Sequence, residues 1–154
     1  MSFFDFYKIQ TFKLIELKYF ILLHCKDTKK MTAIYTGKII HGKKNGRKFG
    51  FPTVNILLDS DQQITDTGVF ATQVNVLDKS FQGMLYVGYR KTLDLSHLSI
   101  EINIFDFNED IYDHTIKFQI LKKIRSDQTF DTIDQLIKQI QLDEIEIKKY
   151  FASC

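Results

Sequence analysis

Three short segments carry residue types that could do chemistry: a basic, glycine-rich loop, a strand bearing a carboxylate, and a junction with an Arg and an aromatic side chain. The first runs Gly42-Lys-Lys-Asn-Gly46-Arg47-Lys-Phe-Gly50-Phe-Pro52-Thr53-Val-Asn55. It does not satisfy GxxxxGK[ST] and no helical periodicity follows, so it is not a Walker A loop. A glycine-rich, basic segment leading into a strand can still hold a polyphosphate through backbone N–H groups and Lys or Arg side chains, acting as a flap. Pro52, the single proline, suits the first residue of a strand because it presets its own φ and lacks an N–H. Side-chain alternation then sends the Thr53 hydroxyl and the Asn55 amide to one face, and Val54 and Ile56 to the other. Hard neutral oxygens of this kind suit a magnesium ion that arrives with a nucleotide. The same spacing also fits a β-turn followed by a strand with an ordinary polar face.

The second segment is Ser99-Ile-Glu101-Ile-Asn103-Ile-Phe-Asp106-Phe107. Ile100, Ile102 and Ile104 share one face, which leaves Glu101 and Asn103 on the other. A carboxylate placed mid-strand can take the hydroxyl proton during phosphoryl transfer, an effect typically worth roughly 10² to 10⁴ in rate; a solvated strand-face Glu is the plainer alternative. The third segment, Lys123-Ile-Arg125-Ser-Asp127-Gln-Thr-Phe130, puts an Arg and an aromatic side chain where they can clamp a planar ring. Equally, Phe130 can serve only to staple a helix onto the core.

These segments need a scaffold, and the pattern around them is one of short strands. Tyr35 to Ile40, Thr53 to Leu57, Val69 to Val76, Met84 to Tyr89, Ser99 to Phe105 and Thr115 to Leu121 are rich in β-branched and aromatic residues. Ile116, Phe118 and Ile120 alternate with Lys117 and Gln119, as in a half-buried strand. No crossover helices separate the strands, which excludes a parallel sheet and predicts an antiparallel barrel or sandwich. The C-terminus is helical: Ile133, Leu136, Ile137, Ile140, Ile147 and Phe151 form an apolar stripe opposite Lys138, Gln139, Lys148 and Lys149. Thr132 and Gln135 fit a capping box, with Asp131 and Asp134 at the positive end of the helix dipole. The stripe is read as core, in a helix that plugs or flanks the barrel.

Composition narrows the classes further. A chain of 154 residues, 44% hydrophobic and 26% charged, is one domain's worth of ordinary globular protein and not a disordered one. Twenty-one Lys and Arg against nineteen Asp and Glu leave +2, too little for the footprint of a dedicated nucleic-acid binder. Cys25 and Cys154 have neither zinc-site nor disulfide-framework spacing. The apolar run Tyr19 to Leu23 is far too short to span a membrane, and no cleavable leader precedes it, so a cytoplasmic protein is expected. All seven glycines lie between Gly37 and Gly88, where special backbone geometry is therefore expected. Residues 1–30 carry four phenylalanines in their first twelve positions and no glycine or proline. They are compatible with a docked helix, an extra strand or a loose extension, and Met31 with an alternative start. They are read as an N-terminal extension of unclear role, preceding a domain over 31–154.

Taken in order, GRKFGFPTVN within Gly42 to Asn55, Gly68-Val-Phe-Ala71, Gly83-Met84 to Gly88, Glu101 to Phe107 with Asp110 and Tyr112, and Arg125 to Phe130 resemble the riboflavin kinase (flavokinase) family across about Tyr35 to Tyr150. The resemblance implies an all-β fold, a six-stranded antiparallel Greek-key barrel with a C-terminal α-helix. It implies transfer of the γ-phosphate of Mg-ATP to the ribityl 5'-hydroxyl of riboflavin, giving FMN and ADP. Carried over by residue, Thr53 and Asn55 become ligands of Mg2+ or another divalent ion, with Thr53, Gly42, Arg47 and Tyr112 at the ATP. Glu101 becomes the catalytic base, and Arg125, Asp127 and Phe130 belong to the loop over the flavin. These groups are expected to meet inside the closed sheet. Small-molecule substrates are the expected partners of a monomer, with no nucleic acid and no membrane. Thirty residues cannot encode the adenylyltransferase domain of bifunctional relatives, so the resemblance is to the monofunctional form.

The sequence departs from the family pattern at Tyr86 (usually Asn), Lys91 (Pro), Asp113 (Gly), Asp127 (Glu) and Thr129 (Lys). These changes bear on flavin affinity and loop geometry and leave the proposed catalytic residues intact. The competing reading is a non-catalytic β-barrel that binds flavin, or RNA through the Lys43-Lys44 to Lys48 patch; beside that patch only Phe49 and Phe51 offer aromatic platforms.

Overall fold

Alternating β-branched residues from every predicted strand converge on one apolar interior. The computed structural model describes residues 33–42, 45–92 and 95–153, the side chains of residues 45 and 90–97 excepted. Six strands, β1 (Ile34–Ile40), β2 (Val54–Leu58), β3 (Gly68–Val76), β4 (Lys79–Thr92), β5 (Leu95–Ile104) and β6 (Thr115–Arg125), close into a barrel in the order β1-β2-β5-β4-β3-β6. Every pairing is antiparallel. Strands β3, β4 and β5 are consecutive neighbours and β6 returns beside β3, which is the Greek-key arrangement. The all-β, six-stranded fold expected from the sequence is the one observed. The β4–β5 ribbon runs further than its apolar residues indicated, with pairing that continues to Thr92 and Leu95.

Ile39, Ile56, Phe70, Leu85, Ile102 and Phe118 fill the lumen. That packing corrects one expectation. Because Val54, Ile56, Ile100 and Ile102 pack in or against the interior, Thr53, Asn55 and Glu101 lie on the outer wall.

The loop Gly42 to Pro52 contains one short helix, α1 (Asn45–Lys48), and the chain ends in α2 (Ile133–Ser153). Helix α2 flanks the barrel, since the filled lumen leaves no room for a plug. Its Ile147 packs with Val69, Ala71, Met84 and Phe105, which buries the first half of β3 on both faces. The N-cap forms as expected, with the Gln135 N–H donating to Thr132 Oγ1 at 3.2 Å, but the Gln135 side chain reaches back one residue further, to the Asp131 N–H at 3.1 Å. The apolar stripe is only partly the predicted one. Ile133 is exposed, and Asp143 is buried between Ile140 and Ile147.

Thr32–Phe151 form one compact unit. The extension assigned to residues 1–30, the alternative start at Met31, both cysteines and the Lys43-Lys44 pair lie outside the described residues.

Candidate active site

Register dictates which functional side chains become neighbours. Asn55 of β2 and Tyr86 of β4 both stand opposite Glu101 of β5, so the three form one row across the outer wall. Two residues before Asn55, immediately ahead of β2, Thr53 projects to the same face, and its hydroxyl donates to Glu101 Oε2 at 3.0 Å. Ser99 donates to Glu101 Oε1 at 3.0 Å, so both carboxylate oxygens are held by hydroxyls. Asn103, 8% exposed, donates from Nδ2 to the Pro52 carbonyl at 2.6 Å and pins the chain immediately before Thr53.

Two clefts share Thr53. The smaller, about 310 Å³, lies between the outer wall and α2; Phe49, Phe51, Tyr86, Glu101, Arg125 and Phe130 are among its walls. The larger, about 540 Å³, opens on the other side of the Pro52-Thr53 strap, with Arg47, Asp110 and Tyr112 at its polar rim and Ile102, Ile104 and Ile111 beneath. The Tyr112 ring stacks on His41 with centroids 4.1 Å apart.

Of the residues singled out in the sequence, Thr53 and Glu101 are in direct contact, Arg47 and Tyr112 line the larger cleft, and Arg125, Asp127 and Phe130 line the smaller. Gly42 and Asn55 belong to neither wall; they pack on each other, and a side chain at position 42 would run into the Asn55 amide. The Thr53 hydroxyl donates its proton to Glu101, so its oxygen keeps lone pairs of the hard, neutral kind that Mg2+ accepts alongside phosphate oxygens.

A model of the flavokinase family, described as riboflavin kinase, matches residues 30–151. The chain belongs to the flavokinase family. It is 38% identical over 120 residues to the bifunctional riboflavin kinase/FMN adenylyltransferase of Bacillus subtilis, a match covering 76% of this chain and 38% of that protein. It is 35% identical over 119 residues to an RNA-binding riboflavin kinase of the same organism, covering 77% of this chain and 51% of that protein. The chain therefore spans about 38 to 51% of the length of these curated relatives. The crystal structure of riboflavin kinase from Trypanosoma brucei superposes with a TM-score of 0.56 at 26% identity, covering 77% of this chain and 79% of that one.

Within this flavokinase domain, three side chains given no role by sequence reasoning stand in the smaller cleft: Asn103, Tyr86 and Asp143. Asn103 was legible as the face-mate of Glu101, but its contact with Pro52 depends on the β2–β5 register. Replacing it with Leu removes a hydrogen bond from the strap and is expected to cost about 1 kcal/mol of stability; an unshifted denaturation midpoint would mean that the pin contributes nothing. The Tyr86 hydroxyl donates to Asp127 Oδ1 at 3.2 Å, tying the 126–130 loop to the wall, and its ring lies over Gly88, where a Cβ would strike it. Burial first, then the charge and hydrogen bond of Asp127 and the charge of Glu101, push the Tyr86 phenol up to about 12. The folded state thus keeps this proton where the unfolded chain loses it. The resulting stabilisation is complete below about pH 10 and declines between 10 and 12. In a spectroscopic tyrosine titration, Tyr86→Phe should remove one late-titrating group, and an unchanged alkaline limb would contradict the assignment.

One other departure from the family pattern is also explained. Asp113, where the family commonly has Gly, adopts φ 64°, a left-handed conformation that Asp tolerates better than most residues. Lys38 Nζ lies 2.9 Å from its carboxylate and, by that hydrogen bond, holds the group below the usual carboxylate range. Lys91 falls among the side chains outside the description, and nothing in the structure explains Thr129. Among the described residues, no helix is long and apolar enough to cross a membrane.

Proposed function

We propose that the chain is a riboflavin kinase that transfers the γ-phosphate of ATP to the ribityl 5'-hydroxyl of riboflavin, giving FMN and ADP. The observation that carries this reading is the Thr53–Glu101 hydrogen bond at the strap shared by the two clefts. A nucleotide in the larger cleft and a flavin in the smaller would approach each other across it. Thr53 and Asn55 would hold a divalent ion, and that ion supplies charge neutralisation of the phosphates when bound. Arg47 adds positive charge at the nucleotide rim, and Tyr112, braced by His41, offers a face for the base.

Glu101 is the catalytic base in this reading. Its two hydroxyl partners fix the carboxylate, so it can orient the acceptor alcohol and receive its proton as the new P–O bond forms and the β–γ bridge bond breaks. No covalent intermediate is required. Arg125, Asp127 and Phe130 border the space for the flavin ring, and the apolar contribution of Phe49, Phe51 and Met84 suits an aromatic ligand. Both clefts are built by one chain, which supports a monomer as the working unit, and ATP as co-substrate supports a cytoplasmic setting.

The direct test is incubation with riboflavin and Mg-ATP, followed by chromatographic separation of the flavins. FMN should accumulate in step with ADP. Persistence of unmodified riboflavin at saturating ATP would leave a flavin-binding barrel instead of a kinase.

A further inference from the structure

We propose that Asp143 is a positioning residue for the smaller cleft, setting which edge of Arg125 a flavin ring meets. The proposal deepens the riboflavin kinase reading and rests on it. Arg125 ends β6 and lines the cleft. A guanidinium carries five N–H donors in one plane. In Arg125, Nε donates to both Asp143 oxygens at 2.9 Å, Nη2 to Oδ2 at 2.8 Å, and Nη1 to the Ser126 carbonyl at 3.1 Å. One N–H on each terminal nitrogen is left without an acceptor among the described residues. Those are the groups able to meet the carbonyl oxygens of a planar ring.

The fork is also held across its face. The Phe130 ring lies 5.8 Å from Arg125 Cζ, within cation–π range. Gln139, one turn earlier on α2, donates to Asp143 Oδ1 at 2.9 Å and fixes the carboxylate in turn. The Asp143 side chain is 3% exposed and that of Arg125 18%. Asp143 interrupts the face of α2 formed by Ile140 and Ile147, where an apolar residue would pack without desolvating a charge. A buried ion pair is weak support for stability relative to apolar packing, whereas it does impose one geometry on both partners. Geometry at the cleft is therefore the role assigned to it: Asp143 acts on the ligand only through Arg125.

The test compares wild type, Asp143→Asn, Arg125→Met and the double variant Arg125→Met with Asp143→Leu. Riboflavin affinity is read by flavin fluorescence quenching, and KM and kcat by FMN formation. Asp143→Asn should raise the riboflavin Kd and KM about 10-fold, with kcat and the KM for ATP within about 3-fold of wild type. The double variant, which removes both charges and keeps the site filled, should match Arg125→Met within about 2-fold in riboflavin Kd. If Asp143→Asn does not fold, the Arg125→Met pair still decides. An unchanged Kd in Asp143→Asn, or a double variant much weaker than Arg125→Met, overturns the proposal. Wild type that binds riboflavin but forms no FMN overturns the kinase reading instead, and the binding comparison then still judges the Asp143–Arg125 pair.

Discussion

Glu101→Gln is expected to lower turnover by about 10² to 10⁴ while leaving riboflavin and nucleotide binding within a few-fold of wild type. The substitution preserves length and shape, and the amide oxygen can still accept from Thr53 or Ser99, so the wall between the clefts should stand. What is lost is a group able to receive the acceptor proton. A non-catalytic barrel has no turnover to lose, and an enzyme in which Glu101 were merely a solvated strand residue would lose almost none. Steady-state rates and flavin titration on the same preparation separate these cases. Turnover within about 5-fold of wild type would remove Glu101 from the chemistry.

Thr53→Val should produce the second large effect, a loss of about 10²-fold in kcat/KM. Valine replaces the hydroxyl by a methyl at nearly constant volume. It deprives the Glu101 carboxylate of one hydrogen bond, worth about 1.5 to 3 kcal/mol when the acceptor is charged, or roughly 10- to 150-fold. It also removes one proposed ligand of the divalent ion. Thr53→Ser keeps the oxygen and should recover activity to within about 5-fold. A Ser variant as damaged as the Val variant would show that the hydroxyl alone does not sustain activity and would contradict the role given to it.

Much of this site was readable before any coordinates. Period-two alternation put Thr53 with Asn55 and Glu101 with Asn103, and those pairings of face are observed. Alternation does not say which face looks into a barrel. The isoleucines of β5 and Val54 and Ile56 of β2 pack in or against the lumen, and the chemistry was left to the outer wall. The Thr53–Glu101 contact joins residues 48 apart and depends on the β2–β5 register, which no local pattern encodes.

Asp143 was passed over because a helical stripe is ordinarily read through its apolar members. The signal was nevertheless present, since Leu136, Ile140, Asp143 and Ile147 recur at four, three and four residues. An acid in such a row calls for a buried partner, and Arg125, one of only three arginines, was the scarce cation available. The Tyr86–Asp127 tie was not legible in the same way. It joins two positions that each depart from the family pattern, and only the fold reveals that they face each other.

In the proposed reaction two ligands approach each other from opposite sides of one strap. A crystal structure with Mg-ADP and riboflavin bound together tests that most directly. It should contain the nucleotide in the larger cleft beside Arg47 and Tyr112, the flavin in the smaller one beside Arg125, and the ribityl 5'-oxygen about 2.6 to 3.2 Å from the Glu101 carboxylate. A flavin whose ribityl tail points away from Glu101, or both ligands lodged in one cleft, would contradict it.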